Sequence, residues 1–281
     1  EGEHGSGEGV QAHDPSIALA SRPGGCVPFG RMPLDPYEPF ASLDADRKQA
    51  YADRIAAYME KAARESKINT NWITPNGPYE EALKAFAHGV LDNAAFTSDF
   101  EAFQQTTARA GVVNSMAQTL LKLTVPGIPD IYQGDELWNF ALVDPDNRRP
   151  VDYETSKRVL ADVNAALAAP APARETAVTA LLQNPESNHL KALVTRAALQ
   201  LRQDTPNVFL EGDYIPLDVD GPAQKHILAF ARKRGDDVVI VAIPRLATGL
   251  LSDPDAPVLS AEALKGTRSL LPDGLLSAGK K

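Results

Sequence analysis

The 281-residue sequence has no long apolar run, a single cysteine and no cluster of basic residues. A membrane-spanning helix needs about 20 predominantly apolar residues, so none is expected. The lone Cys26 excludes an internal disulfide framework and fits a reducing compartment such as the cytoplasm. The net charge of −9 argues against nucleic acid or an anionic membrane as the main partner. No Cys/His spacing suggests a zinc site, and the acidic, Gly-rich start does not resemble a secretion signal.

The chain divides into three regions that differ in composition and periodicity. Residues 1–36 are punctuated by Gly and Pro, and we expect them to be poorly ordered. Residues 37–206 show the apolar spacing of helices, whereas residues 207–281 contain short β-rich runs separated by glycines. The β-rich runs are residues 208–210, 226–231 and 238–243. The pattern predicts a mixed α and β chain that ends in a small antiparallel β-domain.

Helices are predicted where apolar residues recur at steps of three and four. The predicted helices span about residues 44–67, 78–91, 152–167 and 187–203. The run from Ser98 to Glu101 has the spacing of a capping box, so a further helix is expected there, with a break at Gly111. In the helix that follows Ser98, the residues expected to face inward are Phe100, Phe103, Met116 and Leu120. In the helix predicted over residues 187–203, they are Leu190, Val194, Ala197 and Leu201. The alternation of Ala and Pro over residues 168–173 indicates a linker.

The helical spacing of apolar residues stops at the segment 127–134, which is short, contains Ile and Tyr and is bracketed by Gly. It predicts a buried strand that ends at about Tyr132 and is followed by a long charged loop. In α/β barrels, active-site groups lie on loops at the carboxyl ends of strands. Carboxylates, amides and guanidinium groups can hydrogen-bond sugar hydroxyls, and Trp or Tyr rings can stack on sugars.

A second interpretation of the loop remains open at this point. Charge-rich loops are common and often only solvated. In that case Asp144 and Asp146 pair with Arg148 and Arg149, and Trp138 packs in the core.

The loop and its flanks resemble a known family. Residues 126–138, P-G-I-P-D-I-Y-Q-G-D-E-L-W, resemble the eighth-strand region of the α-amylase superfamily, glycoside hydrolase family thirteen. The continuation over residues 142–153, L-V-D-P-D-N-R-R-P-V-D-Y, resembles the narrower maltooligosyl trehalose synthase family. Three further segments match that family in the same order. They are K-A-A-R-E-S-K at 61–67 with N-W at 71–72, G-V-V-N-S-M-A-Q at 111–118, and G-D-Y-I-P-L at 212–217.

The resemblance implies a specific reaction. The family converts the reducing-end α-1,4 linkage of a maltodextrin to an α,α-1,1 linkage, so by type it is an isomerase of trehalose biosynthesis. A partner hydrolase then releases trehalose, and no cofactor or metal is expected. The resemblance also implies that residues 37–206 hold a helical insertion and the eighth βα unit of an incomplete (β/α)8 barrel. The barrel-facing side of Ile128 and Ile131 is then expected to expose apolar surface.

The resemblance assigns substrate contacts but no catalytic group. The positions that line the sugar cleft in the family are Gln133, Glu136, Trp138, Asp146, Arg148 and Arg149. The family's nucleophile lies in a D-G-x-R-x-D pattern that this sequence lacks, and its acid/base Glu lies upstream of the matched region. His13-Asp14 does not fit the remaining His-Asp motif, because Pro15 and Ser16 follow it.

These absences predict the C-terminal portion of such an enzyme, inactive by itself. Two alternatives from other classes remain. One is a fragment of a different α-amylase superfamily hydrolase or transferase, and the other is a non-catalytic glucan-binding module.

Overall fold

The computed structural model describes residues 40–182, 187–251 and 259–276. The region 1–36, expected to be poorly ordered, lies outside the described residues, and so do Cys26 and the His13-Asp14 pair. The α-helices of the described part are α1 Ala45–Ser66, α2 Gly77–Asp92, α3 Ala94–Thr124, α4 Tyr153–Ala168, α5 Ala171–Leu182, α6 Asn188–Asp204 and α7 Pro206–Leu210. The strands are β1 Asp213–Leu217, β2 Val219–Asp220, β3 Ile227–Arg234, β4 Asp237–Pro244 and β5 Arg268–Ser269. The predicted mixture of helices and a small antiparallel β-region is confirmed.

Helices α1 and α2 form an antiparallel pair with their own core. The side chain of Asp44 caps α1 by accepting from the Arg47 amide at 2.8 Å, and Lys67 ends the helix in a left-handed conformation with φ 57°. Ser, Asp and Asn at such positions satisfy amides that the helix leaves unpaired. The shared core consists of Phe40, Leu43, Tyr51, Ala52, Ile55, Ala56, Ala87 and Leu91. Both helices agree with the prediction to within one residue.

Helix α3 is one continuous helix of 31 residues, longer than predicted. Asn93 caps it, since its Oδ1 accepts from the amides of Ala95 and Phe96 at 3.1 Å each. The predicted capping box at Ser98 is therefore wrong, because the helix is already running when the chain reaches it. The break at Gly111 is also wrong. A mid-helix glycine costs only ~1 kcal/mol, and the packing of α3 against α6 and β4 offsets that cost.

Two predicted inward faces need correction. Phe103 is 66% exposed, so it does not face the core. On α6, Ala197 and Leu201 are exposed, whereas Lys191 and Ala198 are buried. The buried face of α6 is rotated from the predicted stripe because the helix packs against both α3 and α4.

The predicted buried strand over residues 127–134 is not a strand. The chain there is irregular, and Ile128 is 91% exposed. A buried strand needs neighbours that accept and donate its backbone hydrogen bonds. Among the described residues, no strand lies beside it, and the sheets are all antiparallel and lie later in the chain. Ile128 is exposed, as expected, whereas Ile131 is half-buried, and the described ranges contain no parallel strands of a barrel.

Two shorter corrections concern proline. The expected linker 168–173 is mostly helix, because α5 begins at Ala171 and carries Pro172 in its first turn. Proline costs little there, since its missing N–H would have no partner in any case. The run 208–210, predicted as β-rich, lies in helix α7, which also begins at a proline, Pro206.

The C-terminal sheet has the order β1-β3-β4 and packs on α3. Phe230, Val241 and Ile243 meet Ala117 of α3 in one apolar cluster. Arg232 is 1% exposed and donates from its two Nη atoms to the carbonyls of Thr124, Phe209 and Gly212 at 3.2, 3.1 and 2.8 Å. The carboxyl end of α3 is thereby fixed, and with it the point at which the loop of interest begins. No helix in the described part of the chain has the length and apolarity to cross a membrane.

Candidate functional site

The site predicted from the sequence lies on the loop between α3 and α4, here called the cleft loop (residues 133–149). It opens with a turn in which the Asp135 amide donates to the Tyr132 carbonyl at 2.9 Å. Gly134 has φ +85° in this turn, a conformation that side chains with a Cβ rarely adopt. At the far end Asp152 caps α4 by accepting from the Thr155 amide at 3.0 Å. Both ends of the loop are thus fixed by local chemistry.

The middle of the loop is attached to α6 through Trp138. Its backbone amide donates to Asn188 Oδ1 at 3.0 Å, and its indole Nε1 donates to the Ser187 carbonyl at 2.9 Å. The neighbouring Leu137 is buried in the cluster formed by α4 and α6. Trp138 is half-buried and stacks near Phe140, with 6.4 Å between ring centroids.

A buried lysine of α6 contacts the middle of the loop as well. Lys191 of α6 is 1% exposed, and its Nζ donates to the Leu137 carbonyl at 2.8 Å and lies 5.7 Å from the Trp138 ring centroid. Burial lowers the pKa of Lys191 to about 8, although the carboxylates of Asp135 and Glu136 act in the opposite direction. The charged and neutral forms of Lys191 are therefore about equally populated near pH 8.

A second attachment joins the loop to α1 through Asp146. Arg54 binds this carboxylate in a bidentate manner, with Nε to Oδ1 at 2.8 Å and Nη2 to Oδ2 at 2.9 Å. The Leu142 amide donates to Oδ2 at 2.6 Å, and Arg149 Nε lies 3.1 Å from Oδ1. Burial alone would raise the pKa of Asp146, but the hydrogen bonds from Arg54 and Leu142 hold it below its usual value. Both carboxylate oxygens are occupied by protein donors.

The exposed edge of the loop carries a second ion pair. Arg148 Nη2 donates to Asp144 Oδ2 at 2.8 Å, and this bond holds the pKa of Asp144 below its usual value. The Arg148 side chain is 69% exposed. From α1, Lys61 Nζ donates to the Asp144 carbonyl at 2.6 Å. Lys61 therefore gives α1 a second contact with the loop.

A groove lies between α1 and this edge of the loop. Its volume is about 410 Å³. The lining residues are Ala57, Glu60, Lys61, Arg64, Glu65, Trp72, Asp144, Pro145 and Arg148.

Five of the six predicted substrate-contacting residues fall into two groups. Asp146, Arg148 and Arg149 face α1, whereas Glu136 and Trp138 face α4 and α6, where Ser156 Oγ donates to Glu136 Oε1 at 3.4 Å. Gln133 is exposed at the start of the loop. The pairing of Asp144 with Arg148 and of Asp146 with Arg149, which the alternative interpretation predicted, is present together with the exposure of Arg148.

Sequence reasoning missed Arg54 and Lys191. Arg54 lies 92 residues before Asp146, and Lys191 lies 54 residues after Leu137. Nothing local marks either residue. Each is simply a cation near the apolar face of its helix, which is too weak a signal to predict a contact with the loop.

Comparison with known proteins extends this picture. No protein-family model matches the chain. A curated Mycobacterium tuberculosis (strain H37Rv) protein, provisionally named maltooligosyl trehalose synthase, is 40% identical over 198 residues, which are 70% of this chain and 22% of that protein. The structure of maltooligosyltrehalose synthase from Arthrobacter ramosus aligns with a TM-score of 0.59 and 32% identity, over 71% of this chain and 24% of that one. A further maltooligosyl trehalose synthase crystal structure has a TM-score of 0.59 and 28% identity, over 79% of this chain and 26% of that one.

The chain is therefore related to carbohydrate-active enzymes of the α-amylase type. Within that class it is a homologue of the maltooligosyl trehalose synthases, as the resemblance predicted. It spans 22% of the length of the curated relatives that it matches, which agrees with a resemblance to one portion of such an enzyme.

Proposed function

We propose that the chain is the C-terminal part of a maltooligosyl trehalose synthase and that its cleft loop contributes to the glucan site of the whole cytoplasmic enzyme. In this proposal residues 37–206 are the helical insertion and the eighth βα unit, and residues 207–281 form the C-terminal β-domain. The whole enzyme rearranges the reducing end of a maltooligosaccharide from an α-1,4 to an α,α-1,1 linkage. A separate hydrolase then releases trehalose.

The observation that carries the proposal is a polar loop held rigid from both sides. Arg54 attaches it to α1 and Ser187 and Asn188 attach it to α6, while the Arg148 guanidinium remains exposed at the rim. A site that is ordered before the ligand arrives loses less conformational freedom on binding. In the proposal Arg148 and Arg149 bind sugar hydroxyls with Gln133, whereas Asp146 keeps the loop in position.

We expect the chain to be inactive alone because it lacks the family's nucleophile pattern and because the geometry argues against Asp146 as a substitute. Retaining glycosyl transfer uses two carboxyl groups ~5–5.5 Å apart, one as nucleophile and one as acid/base. Asp146 is ionised, but Arg54, Arg149 and the Leu142 amide occupy its oxygens. A nucleophile needs a free lone pair directed at the anomeric carbon, so Asp146 is not suited to act as the catalytic nucleophile.

A product assay tests this proposal. The purified chain is incubated with maltopentaose, and both the reducing ends and the products are measured. We expect no change in reducing ends. A trehalose-ended product would mean that the chain holds its own catalytic carboxylates, and release of glucose or maltose would favour a different α-amylase superfamily enzyme.

A non-catalytic glucan-binding module gives the same null result in that assay. Mixing the chain with the preceding portion of a homologous enzyme distinguishes the two cases. The proposal expects trehalose-ended product from the mixture, and a module that only binds glucan does not supply the missing part of the cleft.

A further inference from the structure

We propose that Trp72, which lies in a segment that matches the family but is not among the six predicted substrate-contacting residues, forms the platform of a glucan subsite in the groove between α1 and the cleft loop. The inference rests on the proposed function, because it takes the ligand to be the same α-glucan. Trp72 follows α1 and is 53% exposed. It lines the groove together with Arg148, so one ligand can reach both side chains.

The indole of Trp72 is held in place rather than left to rotate. Its Nε1 donates to Glu65 Oε1 at 3.1 Å, and the Arg64 guanidinium carbon lies 4.9 Å from the ring centroid. A cation over an aromatic ring is attracted by the electrons of the ring face. The ring is therefore fixed by two residues of α1, yet half of its surface is left without protein contact.

The backbone that carries Trp72 is also fixed. Asn71 Oδ1 accepts from the amides of Ile73 and Thr74 at 2.9 and 2.7 Å, which forms a tight turn around the tryptophan. Thr70 accepts from the Asn76 amide at 2.9 Å and donates to Glu80. An exposed aromatic ring on an ordered turn is preorganised for a ligand and binds at a low entropic cost.

The buried base of this turn is an ion pair. Arg64 binds Glu80 through Nε at 2.9 Å and Nη2 at 2.7 Å. This contact, with the Thr70 hydroxyl, lowers the pKa of Glu80 to about 2. Glu80 therefore stays ionised at all ordinary pH values, and the turn keeps its anchor.

The charge of the groove decides which ligand fits. Three cations, Lys61, Arg64 and Arg148, line it together with three anions, Glu60, Glu65 and Asp144. A balanced set favours neither an anion such as a phosphate nor a cation. It offers many hydrogen-bond donors and acceptors around one apolar face, and a neutral sugar presents hydroxyls around an apolar ring face. The balance therefore favours a glucan over a charged ligand.

The two tryptophans of the chain make the test direct. With Trp72 and Trp138 only, the ¹⁵N-labelled protein gives two indole N–H signals, and the Trp72→Phe variant assigns them. Titration with maltoheptaose is expected to shift the Trp72 signal in a saturable way, whereas cellohexaose, a β-1,4 glucan, leaves it in place. In calorimetry, Trp72→Ala is expected to weaken maltoheptaose binding about tenfold or more, and Trp72→Phe less because a ring remains.

Ile73→Ala is the matched control, since Ile73 is the next residue, is 94% exposed and does not line the groove. We expect its affinity for maltoheptaose to equal that of the parent chain, and circular dichroism checks that each variant is folded. Saturable binding with an unmoved Trp72 signal and an unchanged affinity in Trp72→Ala overturns the subsite but leaves the proposed function standing. Absence of any maltoheptaose binding to the parent chain overturns both.

Discussion

Replacing Arg54 with alanine separates the support of the cleft loop from its surface charge. Arg54 makes two hydrogen bonds to Asp146 and a third to the Phe140 carbonyl at 2.9 Å. The Arg54 and Asp146 side chains are only 16% and 12% exposed. The substitution therefore leaves a mostly buried carboxylate with fewer partners.

The expected cost follows from these contacts. Removing one partner of a fully buried ion pair costs about 3–5 kcal/mol. Residual exposure and the remaining contact of Arg149 with Asp146, at 3.1 Å, reduce that figure. We expect Arg54→Ala to lower the free energy of unfolding by about 2–3 kcal/mol. In a double-mutant cycle with Asp146→Ala, a coupling energy of about 1–2 kcal/mol is expected.

Urea denaturation followed by circular dichroism measures both values. Arg148→Ala is the matched control, because Arg148 pairs with Asp144 on the same loop but is 69% exposed. An exposed pair of this kind contributes ~0–1 kcal/mol, so the control should stay near the parent stability. Equal losses for Arg54→Ala and Arg148→Ala, or a coupling energy near zero, would refute the view that Arg54 holds the loop.

Two further perturbations test the loop through its other attachments. Burial lowers the pKa of Lys191 from 10.5 to about 8. Between pH 8 and 10.5 the unfolded chain therefore binds the proton more tightly than the folded chain does, so the free energy of unfolding should rise with pH, by about 3 kcal/mol in all. Urea denaturation at pH values from 7 to 10.5 should show this rise in the parent chain and a smaller rise in Lys191→Met. If the free energy of unfolding changes with pH equally in both proteins, Lys191 is not the group responsible. Gly134→Ala should cost about 1–2 kcal/mol, because φ is +85° and the new Cβ would lie 3.3 Å from Val151 Cγ2. Gly89→Ala, in α2 with no atom within 4 Å of its Cβ, should instead stabilise by about 0.5–1 kcal/mol in the same assay.

Helices could be predicted closely where the signals are local. Helix α1 begins after Asp44 and ends before Lys67, and α4 begins after Asp152, as their capping residues and apolar spacing indicate. The longer α3 shows the limit of such signals. Asn93 acts as its cap, whereas the later run at Ser98, which has the spacing of a capping box, lies inside the helix.

Other predictions failed because they depend on residues distant in sequence. The segment 127–134 has the composition of a buried strand, but a strand forms only beside partners, and none lies next to it in the described part of the chain. The loop residues themselves could be identified from their pattern and resemblance. Their supports, Arg54 and Lys191, could not, because each contact joins residues more than 50 positions apart.

A calorimetric titration of the full chain with maltoheptaose tests most directly whether the cleft loop binds glucan. We predict one saturable binding event that is weakened at least tenfold in the double variant Arg148→Ala/Arg149→Ala. No binding by the parent chain, or the same titration curve for the double variant, would contradict it.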